Sequence, residues 1–77
     1  MNKIALIKLR DNIQDQMRKK KMTQTELALR MGVSEATVSR YMHLKRTPTL
    51  SHLGALAIAL GCNVSDLLDG IRKVEMV

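Results

Sequence analysis

Residues 23–41 read TQTELALRMGVSEATVSRY, and this stretch decides the fold. Thr23 and Glu26 stand three apart, the spacing of a capping box. The hydroxyl accepts from the third helical amide while the carboxylate reaches back to the cap's own N–H. Leu27, Ala28 and Met31 then supply one apolar face of a short helix. Gly32 ends it, because a left-handed position past the last turn costs glycine little. Ser34 offers the next N-cap, and Glu35 suits the positive end of a following helix that runs to about Met42. Two short helices joined only by Gly32-Val33-Ser34 meet at roughly 90–120°. Such an angle requires a small Ala28 where the second helix crosses, and apolar Leu27, Val33, Val38 and Tyr41 to seal the crease. Every requirement is met.

Upstream, Leu6, Leu9, Ile13 and Met17 step by three, four and four, which predicts a first helix from about Ile4 to Lys20. It finishes in Arg18-Lys19-Lys20-Lys21, cations beside the negative end of the helix dipole. Downstream, His43 to Pro48 reads as a loop, since Pro48 disfavours helical geometry at Thr47. Thr49 caps a fourth helix with Leu50, Leu53, Leu56, Ala57 and Leu60 on one side, ended by Gly61. Asn63 opens a short fifth carrying Val64, Leu67 and Leu68, ended by Gly70. No segment alternates as a half-buried strand would. The expected fold is all-α: five helices in one domain over residues 1–70, with a short tail at 71–77.

Composition narrows the function. The chain has 77 residues, 13 Lys plus Arg against 7 Asp plus Glu, and a net charge of +6. Eleven of the basic and four of the acidic side chains fall within residues 1–46. A basic front half on a near-neutral scaffold suits a polyanion. Tyr41 is the sole aromatic residue, too few rings for folds that stack single-stranded bases. No apolar run approaches a membrane span or a signal-peptide core, and the lone Cys62 closes no internal disulfide. A cytoplasmic protein is the simplest expectation. His43, His52 and Cys62 are spaced too widely for a catalytic or metal cluster, so neither an enzyme nor a cofactor is expected. The apolar stripe of the first helix is needed for the core, which argues against a membrane-surface role.

The run from Thr23 to Tyr41 closely resembles the helix-turn-helix of the lambda-repressor-like (Cro/C1-type, XRE) DNA-binding family. The likeness continues through Lys45-Arg46-Thr47-Pro48-Thr49-Leu50 and Leu56-Ala57-Ile58-Ala59-Leu60-Gly61 to Leu67-Leu68. The resemblance implies a compact five-helix domain whose third helix enters the major groove of double-stranded DNA. It also implies a homodimer on a twofold-symmetric operator, with half-sites roughly 34–36 Å apart. Glu35, Ala36, Thr37 and Arg40 fall where the family faces base edges; Thr23, Gln24, Ser39, Lys45 and Arg46 fall where it holds phosphates.

The chemistry at those positions fits. Arg40 suits guanine O6 and N7, Glu35 suits cytosine N4, and Ala36 suits a thymine methyl. Thr37 and Ser39 suit base edges or phosphates, while Lys45 and Arg46 would position without reading sequence. Two positions depart from the family. Glycine often ends its first helix and follows its third; here Lys21 and Leu44 stand there. Leu44 would be strained in a left-handed turn, so a different path after the third helix is expected.

The expected role is a dimeric transcriptional repressor, controlled by abundance or partner because little chain follows Gly70. A second class is an antitoxin-type module that binds a partner protein and its own promoter. Ile71, Val74 and Val77 bear on both, as an apolar stripe suited to a dimer or partner contact.

Overall fold

Each helix begins where a short polar side chain can hold the free amides of its first turn. The Asn2 carbonyl oxygen accepts from the Ala5 N–H at 2.7 Å, and Thr23 Oγ1 accepts from Glu26 at 3.1 Å. Ser34 Oγ accepts from Thr37 at 3.2 Å, and Thr49 Oγ1 from His52 at 3.1 Å. At Asn63 the direction reverses, its backbone N–H donating to Asp66 Oδ2 at 2.9 Å. The resulting elements are α1 (Lys3–Lys20), α2 (Gln24–Met31), α3 (Glu35–Met42), α4 (Leu50–Leu60) and α5 (Val64–Leu67). The computed structural model describes residues 2–71, and the fold is all-α with five helices, as the sequence implies.

Helix ends repeat one device. The N–H groups of Lys21 and Met22 donate back to the carbonyls of Arg18 and Met17. Gly32 and Val33 do the same for Leu29 and Ala28, and Gly61 and Cys62 for Ile58 and Ala57. This turn needs one left-handed residue. Lys21 supplies it at φ 53°, where the other two ends use glycine.

The core gathers one face of each helix. α4 packs against α1, α2 and α5, while α1 and α2 also touch α3. Leu27, Val38 and Leu56 are fully buried where the elements meet, with Leu9 and Ile13 closing the side under α1. Ala28 is 2% exposed, so the crease between α2 and α3 is as tight as its small side chain predicts.

Four expectations are corrected. The buried stripe of α1 is Ala5, Leu9, Ile13 and Met17, with Leu6 only half-buried: a strict step of four turns the inward face past Leu6. Leu50 is 82% exposed, projecting from the first turn of α4 before that helix reaches the core. The Glu26 carboxylate does not complete the capping box; its Oε1 instead accepts from Arg30 Nη2 at 2.9 Å, one turn along α2. Ile71 is buried in the core at 6% exposure and so offers no surface for a dimer or partner. Val74 and Val77 lie outside the described residues.

Candidate nucleic-acid interface

The two turns of α3 divide cleanly around the helix axis. At about 100° per residue, Thr37, Val38, Tyr41 and Met42 fall on one side and Glu35, Ala36, Ser39 and Arg40 on the other. The first four are buried. Glu35, Ala36 and Arg40 are exposed, and Ser39 is half-buried. Val38, with no exposed surface, anchors the inner side. An eight-residue helix is about 12 Å long, close to the ~12 Å width of a B-DNA major groove.

Thr37 therefore departs from its expected place among base-facing residues. It is only 9% exposed, and its hydroxyl lies 3.0 Å from Ser34 Oγ while its amide donates to the same atom. Its chemistry is spent closing the turn between α2 and α3.

The path after α3 also differs from expectation. Leu44 does adopt the left-handed conformation, at φ 59°. Its N–H donates to the Tyr41 carbonyl at 3.3 Å, and Lys45 N–H donates to the Arg40 carbonyl at 2.8 Å. This is the same end device seen on α1, α2 and α4, so the turn keeps its shape without glycine. One difference matters. That device commonly sets an apolar residue against another apolar residue, as Met22 stands against Met17 and Val33 against Ala28. Here the corresponding residues are Arg40 and Lys45, both exposed cations. The turn brings the two backbones together and leaves both cations at the surface.

Ion pairing sharpens that point. Arg10 meets Asp11 at 2.9 Å, Arg18 and Lys19 meet Asp15 at 3.5 and 3.2 Å, and Arg30 meets Glu26 at 2.9 Å. Among the described residues, Arg40, Lys45 and Arg46 have no such partner, nor do Lys3, Lys8, Lys20 and Lys21 on and just after α1. Gln24 is exposed at the first position of α2, beside the Thr23 cap. Thr23 Oγ1 accepts from Glu26, which leaves its own proton free to donate.

Behind the exposed face, Tyr41 ties α3 to α4. Its hydroxyl hydrogen-bonds His52 Nδ1, and the two rings meet edge to face with centroids 5.8 Å apart. Burial pushes the Tyr41 phenol above its ordinary value, with the Arg46 charge partly opposing. The remaining candidates for chemistry are dispersed. His43 Nδ1 lies 2.8 Å from the Ser39 carbonyl, and half-buried Cys62 packs at the end of α4, its thiol pushed up by burial and by Asp66. No group of three His, Cys, Asp or Glu among the described residues is placed to hold a metal. Among the same residues, no helix is long and apolar enough to cross a membrane.

A protein-family model for the Cro/C1-type helix-turn-helix DNA-binding domain matches residues 12–73. The chain belongs to this family. A search of curated proteins and a search of solved structures each returned no match. For a Cro/C1-type domain, α2 and α3 are the helix-turn-helix, and DNA binding follows as its general role. Two side chains with a bearing on that unit escaped the sequence reading. His43 is fixed by Ser39 one turn earlier, a link the spacing of four could have revealed. Arg10 reaches the end of α3 from 32 residues away, which no local pattern signals.

Proposed function

We propose that this Cro/C1-type domain is a sequence-specific, double-stranded DNA-binding transcriptional repressor acting as a homodimer. The observation that carries the reading is the run of exposed cations Arg40, Lys45 and Arg46, without ion-pair partners among the described residues, on the outward side of α3 and its closing turn. Exposed, unpaired cations attract a polyphosphate backbone, which releases its own counterions on contact.

Within this reading, Glu35, Ala36 and Arg40 face base edges. Arg40 donates to guanine and Ala36 packs on a thymine methyl. Gln24, Thr23, Ser39, Lys45 and Arg46 hold phosphates on either side, fixing register. Thr37 takes no part, because its hydroxyl is turned to Ser34. The family's usual symmetry supports a dimer on half-sites about one helical turn apart.

Selecting bound duplexes from a random double-stranded library tests the function. The expected result is an enriched motif with twofold symmetry. Recovery of unrelated sequences, or of single-stranded contaminants in preference to duplex, contradicts it.

A further inference from the structure

We propose that Arg10 is a positioning residue for DNA recognition, holding the far end of α3 at a fixed tilt on the scaffold. The inference rests on the DNA-binding reading above for its consequence, though not for its geometry.

The last four carbonyls of a helix lack partners within it, and at α3 all four are accounted for. Ser39 O accepts from the His43 N–H at 2.9 Å, Arg40 O from Lys45, and Tyr41 O from Leu44. Met42 O, the last, accepts from Arg10 Nη1 at 3.1 Å. Three of these bonds come from the chain that follows α3 and move with it. The fourth comes from α1 and does not.

Arg10 is built for the task. Its Nε donates to Asp11 Oδ1 at 2.9 Å, so the guanidinium plane is fixed from its own helix before it reaches across. Its side chain is 26% exposed, screened enough for a charged donor to bind firmly. The positive charge also sits at the negative end of the α3 dipole. α1 uses the same device once more: Asn12 Nδ2 donates to the Leu67 carbonyl, the last of α5, at 2.8 Å. One helix thus grips two others by their ends, one of which carries the base-facing side chains.

Tyr41 and Met42 hold the buried side of that end through packing and the Tyr41–His52 hydrogen bond, and Arg10 adds a directed bond to its last carbonyl. Recognition geometry must be held within about 0.5 Å and 10–20°, and a bidentate contact from Arg40 is the first to fail when the tilt drifts.

Arg10→Met keeps the length and apolar stem while removing the donors; Arg10→Lys keeps a donor. Each is measured for affinity to the selected duplex and to a scrambled duplex across a range of salt, and for amide exchange at His43, Leu44 and Lys45. Arg10→Met is expected to lower the ratio of specific to non-specific affinity about tenfold, the worth of one charged hydrogen bond. The salt slope stays unchanged, the three amides exchange faster, and Arg10→Lys falls less far. If Arg10→Met does not fold, Arg10→Lys alone must still lower the ratio, by roughly threefold, since a lysine cannot fork to Asp11 and Met42 together. An unchanged ratio overturns the proposal. So does a uniform loss with the slope reduced by about one, which marks a plain phosphate contact. If the wild-type chain prefers no duplex, the DNA reading fails on its own. Arg10 is then judged by exchange: unchanged rates in the variants overturn its role, and faster rates at those amides alone uphold it.

Discussion

Arg40 and Gln24 are both exposed and polar, yet the two side chains have different work in this reading. Arg40→Ala is expected to cost about 1–3 kcal/mol and to relax preference at one base pair per half-site. Gln24→Ala should weaken binding to every duplex alike. Titration against the selected site and its single-base variants separates the two, and equal losses for Arg40→Ala everywhere would remove it from base readout. At this scale the caps were legible, because Thr23, Ser34 and Thr49 act on amides three residues away. Thr37 was not. A threonine beside the outward face reads as a contact until the crease closes and Ser34 claims its hydroxyl. Glu26 likewise had two partners within one turn, and the longer reach to Arg30 won.

The helix ends show how much an element tolerates. Lys21 and Leu44 hold left-handed backbone that strains an L-residue, by about 1–2 kcal/mol in the helical case. Paired backbone hydrogen bonds close the turn regardless, which is why a rule built on glycine misjudged the path after α3. Glycine relieves that strain but brings an unfolded-state entropy cost of roughly 0.5–1 kcal/mol. Lys21→Gly is therefore expected to stabilise the fold by about 0.5–1 kcal/mol, raising Tm by several degrees in a thermal melt. A lower Tm would mean the Lys21 side chain contributes more than its backbone costs. In the opposite direction, Val38→Asp buries a carboxylate with no cation or donor to meet it. Circular dichroism should show that variant unfolded or nearly so at room temperature; a native-like melt would show the crease to be looser than its burial indicates. The helices themselves were readable from periodicity, while Leu50 and Leu6 were misplaced because period alone does not say how far along an element the core extends.

Across the whole molecule, charge is sorted by face. Asp11 and Asp15 lie on α1 interleaved with the Arg and Lys they pair, and Asp66 and Asp69 lie in the α5 region, whereas the α3 end carries cations alone. DNA affinity should fall steeply with salt, the logarithm losing about 0.9 for each phosphate neutralised. Folding stability has its own pH dependence. Burial raises both the Tyr41 phenol and the Cys62 thiol above their ordinary values of 10.0 and 9.0. The native state then holds protons that the unfolded chain releases, so their contribution is complete below about pH 8.5 and is lost as pH climbs through the raised values. Urea titrations from pH 8 to 11 should show that decline, and Tyr41→Phe should make it shallower; an unchanged slope would remove the phenol from it. The tail contact expected for a dimer or partner drew on Ile71, and its burial shows where sequence was misleading: a residue that looked surplus to five helices joins their core.

The most direct test of the interface is residue-resolved. Backbone amide shifts of the isotope-labelled protein, followed while the selected duplex is added, should move most at Gln24, Glu35, Ala36, Arg40, Lys45 and Arg46, and little along Asp11, Asp15, Asp66 and Asp69. Perturbation centred on the α1–α5 face, with the outward side of α3 unmoved, would contradict it.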